Sequence, residues 1–234
     1  MKLTVIIPVF NEINTISILL KKVLSEKTPK QVIVVDDCST DGTKKILNKK
    51  FKNKIDKLIF HKKNKGKGAA IKTAQKFILG EYVIIQDADL EYDPKEYRNF
   101  MDEIKKNKYK LKVIYGSRVL KKRKIYKKQN FSHKIRIWGN YLLTVLSNVI
   151  NDQNLTDAHT CYKMFDSAIF KFIKLKEKGF AFCPEVTTKI SKLKIKIHEI
   201  PINYTGRTYE EGKKIKTIHG IEAVFALLKY RFLD

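Results

Sequence analysis

Cysteine is scarce in this 234-residue chain, and the three present, Cys38, Cys161 and Cys183, show no CxxC spacing. That argues against a disulfide framework and a structural zinc centre, and an odd, scattered set fits a reducing compartment. The five histidines have no metal-ligand spacing either. Long apolar runs are also missing. The longest, Ile137 to Ile150, is interrupted by Trp138, Gly139, Asn140, Ser147 and Asn148, and it falls short of the roughly 20 residues a spanning helix requires. No transmembrane segment is expected. Because a strand pattern starts at Lys2-Leu3, no signal peptide is expected. Acidic residues are outnumbered, 24 Asp and Glu against 49 Lys and Arg, for a formal net charge of +25. Such a surplus suits nucleic acid, an anionic membrane surface or phosphorylated substrates. The lysines are nevertheless spread along the chain beside much Ile and Asn, which reads as compositional bias. Only the run Lys121-Lys-Arg-Lys124, Lys127-Lys128, Lys134 and Arg136 is dense.

With 43% hydrophobic and 31% charged residues, the composition is globular, and the length allows a sizeable core. Continuous apolar runs at Leu3–Val9, Val32–Val35, Lys57–Phe60, Tyr82–Ile85 and Leu111–Tyr115 read as strands covered on both faces. Helical patterns lie between them, near 13–25, 43–50, 68–79 and 95–107, with Asp41 and Asp93 as caps and Pro94 at a first helical position. Strand–helix alternation predicts a parallel, doubly wound α/β sheet. Beyond residue 116 a basic loop leads to an amphipathic helix near 132–150. A strand near 161–165, helices near 166–173 and 184–192, a strand near 195–200, a polar loop at 203–216 and a last helix near 217–231 follow. No linker interrupts the chain, so one domain over 1–234 is expected, with a first half to 116 and an elaborated second half from 117.

Ligands in open α/β sheets bind outside the carboxyl ends of strands, and the chain places its chemistry there. The first strand runs into Pro8, Phe10 and Glu12, and the second into Asp36-Asp37-Cys-Ser-Thr-Asp-Gly-Thr43. Asp37 and Glu12 could accept hydrogen bonds from a nucleobase or ribose; a turn with a capped helix is the plainer reading. After the third strand, Asn64-Lys-Gly-Lys-Gly-Ala-Ala70 allows close backbone approach and opens a helix whose N-terminus suits anions, without the spacing of a Walker loop. The fourth strand delivers Asp87, Asp89 and Glu91 in Gln86-Asp-Ala-Asp-Leu-Glu-Tyr-Asp-Pro94. Closely spaced carboxylates suit a hard divalent cation, of use where a pyrophosphate leaving group must be neutralised; an acidic turn before a capped helix is the alternative.

These segments, with Tyr115-Gly-Ser-Arg118, Thr156-Asp-Ala-His-Thr-Cys-Tyr-Lys-Met-Phe165 and Pro201-Ile-Asn-Tyr-Thr-Gly-Arg-Thr-Tyr-Glu-Glu-Gly-Lys-Lys-Ile215, resemble family 2 glycosyltransferases of the GT-A fold. The nearest branch is that of dolichyl- and polyprenyl-phosphate mannosyl- and glucosyltransferases. The resemblance implies a mostly parallel sheet flanked by helices, and a nucleotide pocket lined by Pro8, Phe10, Glu12, Asp37 and Lys67. It also implies Mg²⁺ or Mn²⁺ on Asp87 and Asp89. Glu91 stands where that branch often has Gln and adds a third carboxylate to the metal group. Arg118 would face the acceptor, Arg207 and Lys213 would clamp phosphates from a lid, and Asp157 would be a base for a hydroxyl acceptor. With a phosphate acceptor, already ionised near neutral pH, Asp157 would instead orient Arg118 or Lys163 or contact the sugar. His159 departs from the small or polar residue expected at its position. Glu185 reads as a helix cap.

The resulting expectation is a metal-dependent, inverting transfer of a hexose from a GDP- or UDP-sugar to a polyprenyl phosphate, with Asp89, Arg118, Asp157 and Arg207 as the catalytic group. The enzyme would sit peripherally on the cytoplasmic face of a membrane. There the run 121–136 and the apolar face of Ile135, Trp138, Leu142, Leu146 and Val149 would meet an anionic bilayer, with room for a membrane-protein partner. Core packing of that face is the alternative. Transfer to a sugar hydroxyl in surface-polysaccharide assembly is the rival activity. A nucleotidyltransferase would need a glycine-rich, arginine-bearing loop after the first strand. A nucleic-acid module would need aromatics on an exposed sheet, so no nucleic acid is expected.

Overall fold

The structure is a computed structural model that describes residues 2–120, 131–207 and 218–234, with side chains from 137 in the helix beginning at Phe131 and from 219 in the last helix. Its strands are β1 (Leu3–Val9), β2 (Lys30–Asp36), β3 (Lys57–Phe60), β4 (Tyr82–Ile85), β5 (Val113–Ser117), β6 (Lys163–Asp166) and β7 (His198–Pro201). They form a seven-stranded sheet in the order β3-β2-β1-β4-β6-β5-β7. β1 lies parallel to β2 and β4, β2 to β3, and β5 to β7, while β6 runs antiparallel to both β4 and β5. The expected mostly parallel α/β sheet is present.

The helices are α1 (Ile16–Ser25), α2 (Thr43–Ile46, continued by a π-helical turn Leu47–Phe51), α3 (Lys67–Gln75), α4 (Tyr97–Lys106, led in by a 3-10 turn Pro94–Glu96), α5 (Phe131–Asn151), α6 (Ser167–Phe172), α7 (Phe182–Lys192) and α8 (Ile218–Phe232). Side chains alternate across a strand. Val5, Ile7 and Ile84 therefore join Leu19, Leu20 and Phe100 from α1 and α4, while Ile6, Val83 and Ile85 join Ile71, Phe170 and Val186 from α3, α6 and α7. Burial on both faces is why these strands are apolar without alternation.

Boundaries move where the backbone turns left-handed. Asn11 has φ 50° and Asp41 Oδ2 accepts the Ile13 N–H at 3.0 Å, so α1 opens at Ile16. Lys108 and Tyr109, with φ 51° and 62°, delay β5 to Val113. Asp41 and Asp93 cap as expected, accepting from Thr43 N at 2.9 Å and Lys95 N at 3.0 Å. Glu185 does not. It lies inside α7, fully buried, and accepts from the backbone N–H groups of Lys176 (2.6 Å) and Glu177 (2.9 Å) and from Lys189 Nζ (2.8 Å). Its job is to hold the segment before α7.

Losing that carboxylate leaves buried donors unmet, which costs about 2–3 kcal/mol. Glu185→Ala should therefore lower the melting temperature by about 5–10 °C in calorimetry, and Glu185→Gln by less, since one acceptor oxygen remains.

Candidate functional site

The sheet register brings the carboxyl ends of the first strands level, with Val9 opposite Asp36 and Asp36 opposite Phe60. The loops leaving β1 and β2 are sewn together there. Asn11 N donates to Ser39 Oγ (2.9 Å), Thr40 N to Asn11 Oδ1 (2.8 Å) and Glu12 N to Thr43 Oγ1 (3.0 Å). Pro8 and Phe10 are half-buried at this edge.

Asp37 is buried and committed within the protein. Its carboxylate accepts from Lys65 N (2.9 and 3.0 Å) and Gly66 N (2.6 Å) and pairs with His61 Nδ1 at 2.6 Å. His61 Nε2 in turn meets Thr73 Oγ1 at 2.9 Å. This acid therefore shapes the glycine turn. Gly66 has φ 92°, and a Cβ there would collide with the Lys178 carbonyl, so only glycine fits. Asp36 Oδ2 accepts from Ser39 N at 3.1 Å, and its buried Oδ1 has no hydrogen-bond partner. His61 escapes sequence reasoning because a lone histidine after a strand carries no pattern.

The aspartate turn after β4 is pinned by Gln86, whose Nε2 donates to the carbonyls of Asp87 and Tyr92 while Oε1 accepts from Tyr97 and Tyr162 hydroxyls at 2.8 and 2.7 Å. Asp87 is paired with Lys67 at the start of α3, and Lys67 Nζ also lies 3.2 Å from Cys161 Sγ. Asp89 Oδ1 accepts from Glu91 N at 3.1 Å, and Oδ2 faces Arg207 Nη2 at 3.2 Å. The same guanidinium reaches Glu12 at 3.1 and 3.2 Å. Burial, then the neighbouring charges of Asp87 and Glu91, push the Asp89 carboxyl up to about 7, against the pull of Arg207.

Glu91, expected as a third metal ligand, spends both oxygens elsewhere. Oε2 accepts from Tyr204 OH at 3.0 Å and Oε1 from Arg207 N at 2.8 Å, while its carbonyl accepts from Thr205 N. It fastens the segment that carries Arg207 over the site. Among the described residues no group of three His, Cys, Asp or Glu side chains is arranged to hold a metal ion. Asp87 and Asp89 nonetheless fit a cation of the magnesium type, which takes one or two carboxylates and completes its shell with water and substrate phosphate. Lys67 and Arg207 already supply positive charge to both carboxylates. Lys213, most of the expected lid and the basic run up to residue 130 lie outside the described residues, as do the side chains of Lys134, Ile135 and Arg136.

At the end of β5, Arg118 forms a two-pronged pair with Asp157, Nε to Oδ2 and Nη2 to Oδ1, both at 2.7 Å, with its own N–H on Oδ2 at 3.0 Å. Its guanidinium lies 5.1 Å from the Tyr204 ring centre. Asp157 is 3% exposed. Burial works to raise its pKa, but the charge and hydrogen bonds of Arg118 and the charge of Lys163 outweigh it, and the carboxyl lies below its ordinary range. Glu199 fixes the loop beneath, accepting from Thr156 N (2.7 Å) and Asp157 N (3.0 Å). Lys163 is fully buried, donates to Ala158 O at 2.8 Å and lies over the Tyr115 ring; burial brings its pKa down to about 8. Burial, reinforced by the charge of Lys163, lowers His159 to about 4, and its Nε2 has no partner.

The family model described as "Glycosyl transferase family 2" matches residues 4–173. The chain belongs to that family. A dolichyl-phosphate beta-glucosyltransferase of Dictyostelium discoideum is 28% identical over 221 residues, covering 87% of this chain and 66% of that protein, so the chain spans slightly under two thirds of this relative. An uncharacterized protein of Methanocaldococcus jannaschii is 27% identical over 229 residues, with 96% and 90% covered. Glucosyl-3-phosphoglycerate synthase from Mycobacterium tuberculosis, crystallised with Mg²⁺ and UDP, superposes with a TM-score of 0.69 at 13% identity over 98% of this chain and 79% of its own. This family 2 chain has the GT-A fold.

The raised Asp89 makes the ligand-free protein pH-sensitive. Between about pH 4, near its ordinary 3.8, and pH 7 the folded state holds a proton the unfolded chain has lost. Stability should therefore fall as pH rises through that window, by up to about 1.4 kcal/mol per pH unit, and level off above it. Urea unfolding at a series of pH values without divalent cation measures the slope, which Asp89→Asn should remove.

Proposed function

We propose that the protein, acting as one glycosyltransferase unit, moves a hexose from a nucleotide-diphosphate sugar to a polyprenyl phosphate at the cytoplasmic surface of a membrane. The observation that carries this reading is the state of Asp157. A hydroxyl acceptor needs a carboxylate free to take its proton, and Asp157 is ion-paired through both oxygens with a lowered pKa. A phosphate monoester needs cations to place it and no base. The relationship to a dolichyl-phosphate beta-glucosyltransferase supports a lipid phosphate as acceptor and glucose as the sugar. The synthase of the same fold, crystallised with Mn²⁺, UDP-glucose and phosphoglyceric acid, supports a uridine nucleotide and a divalent cation.

Asp87 and Asp89 would hold that cation, which supplies charge neutralisation to the departing diphosphate. Lys67 and Arg207 balance these acids before substrate arrives and turn to donor phosphate oxygens when it does. Glu12 gives Arg207 a resting partner, and Glu91, through Tyr204 and the Arg207 N–H, keeps it above the site. Arg118 uses Nε and one Nη2 proton on Asp157, leaving the Nη1 donors for the acceptor phosphate. Held in that orientation, the phosphate oxygen attacks the anomeric carbon in line, the bond to the diphosphate breaks, and the configuration inverts. Asp157 and Tyr204 position Arg118.

Purified protein with Mg²⁺ or Mn²⁺, a panel of GDP- and UDP-sugars and polyprenyl phosphate should give organic-phase label, highest with UDP-glucose and abolished by Asp89→Ala. Label appearing only on water-soluble hydroxyl acceptors would sink the lipid-phosphate reading. Asp157→Asn should lower kcat/KM about tenfold with an unchanged pH profile, whereas loss of a general base costs about a hundredfold to ten-thousandfold and removes a limb of the profile.

A further inference from the structure

Two of the three cysteines meet beside the Lys67–Asp87 pair, and neither has work in the proposed transfer. Cys161 precedes β6, and Cys183 stands in the first turn of α7. Their side chains are hydrogen-bonded to each other. Cys183 Sγ also lies 4.0 Å from the carbonyl oxygen of Thr160, the residue before Cys161, and Cys161 Sγ accepts from Lys67 Nζ at 3.2 Å. Both residues are partly exposed. Cys38 turns elsewhere, its Sγ donating to the Lys62 carbonyl at 3.7 Å.

Touching thiols beside a cation suit oxidation. The hydrogen bond from the Cys161 thiol, opposed by burial and helped by the charges of Lys163 and Lys67, brings Cys183 down to about 6. The first turn of a helix favours a thiolate as well. Hydrogen-bonded sulfurs need only close to about 2.05 Å to form a bridge. Closing it would act on Lys67 from two sides. The Cys161 sulfur, drawn toward α7, would give up its contact with Lys67 and leave the ammonium to Asp87 alone. The segment leading into α7 also packs on the turn that carries Lys67. Ala69 N donates to the Lys178 carbonyl at 3.1 Å, and a Cβ at Gly68 would collide with the Glu177 carbonyl. A bridge that pulls the start of α7 therefore bears on that turn.

We propose that Cys161 and Cys183 are a thiol pair that hydroperoxides oxidise to a reversible disulfide, which weakens nucleotide-diphosphate binding at Lys67 and Asp87. The Cys183 sulfur attacks one peroxide oxygen, the O–O bond breaks, and the other oxygen takes up the Cys183 proton, or one from solvent, and leaves as water or an alcohol. Cys183 is then a sulfenic acid. The Cys161 sulfur displaces its hydroxyl, the S–S bond forms, and the hydroxyl leaves with the Cys161 proton as water. The two thiols lose two electrons and the peroxide gains them. An added dithiol reverses the step by exchange. The effect on nucleotide rests on the donor-site reading; the bridge does not.

The whole chain is treated with a small excess of hydrogen peroxide and assayed with UDP and Mg²⁺. Free thiols should fall from three to one, and a non-reducing digest should link the peptides of Cys161 and Cys183. UDP affinity by calorimetry should weaken about tenfold, the worth of one charged contact, and recover with dithiothreitol. Cys38→Ser should form the same bridge. Cys183→Ser should form none, and its UDP affinity should be the same before and after peroxide. Three free thiols after treatment, a bridge that includes Cys38 or joins two chains, or a Cys161–Cys183 bridge that leaves UDP affinity unchanged overturns the proposal. Reduced protein that binds neither UDP nor GDP would defeat the donor reading, and with it the effect on nucleotide, while a bridge in the digest would stand.

Discussion

Asp87 and Asp89 stand one residue apart at the end of a strand buried on both faces, and their repulsion must be met by positive charge. Unpaired buried charge costs several kcal/mol, so the neighbouring elements are committed to supplying it. Lys67 comes from the first turn of α3, and its place depends on the glycine turn that Asp37 and His61 hold. Arg207 comes from the far end of the chain, and its place depends on Glu91 and Tyr204. Glu12, Asp87, Asp89 and Glu91 thus gather around Lys67 and Arg207, and the surplus of acid shows in the raised Asp89. On the proposed reading a dianionic diphosphate and a divalent cation can enter together with little change in total charge, because their own charges cancel, the cation meeting the surplus acids and the diphosphate taking up Lys67 and Arg207.

Much of this was legible in the sequence. Apolar runs without alternation give strands, and the residues just beyond them mark the sheet edge where ligands bind. That reasoning singles out Glu12, Asp37, Asp87 and Asp89, the resemblance adds Lys67, Arg118, Asp157 and Arg207, and the structure brings all of them to one edge. What stayed hidden depends on partners distant in sequence. Glu91 looks like a ligand in a local string of acids, yet its oxygens are taken by residues more than a hundred positions later. Asp37 looks free at a strand end until a turn near residue 65 closes on it. Glu185 looks like a cap until the preceding loop is seen to fold over it. The reversal of β6 leaves no mark in composition, because a strand between two buried neighbours is apolar in either direction.

The two arginines differ in how firmly they are held, and the difference supports the roles proposed for them. Arg118 makes two contacts of 2.7 Å to one carboxylate, and its guanidinium lies 5.1 Å from the Tyr204 ring centre. The carboxylate itself sits on a loop whose N–H groups are fixed by Glu199. Bidentate, charge-assisted pairs of this kind set orientation as well as energy. Arg207 divides contacts of 3.1–3.2 Å between Glu12 and Asp89, a looser arrangement whose partners can be exchanged. An in-line displacement needs its nucleophile placed before reaction, while the leaving group needs charge that can follow it as it departs. On the proposed reading the fixed arginine therefore serves the acceptor and the exchangeable one the donor. The lengths and partners of the two sets of bonds support that division.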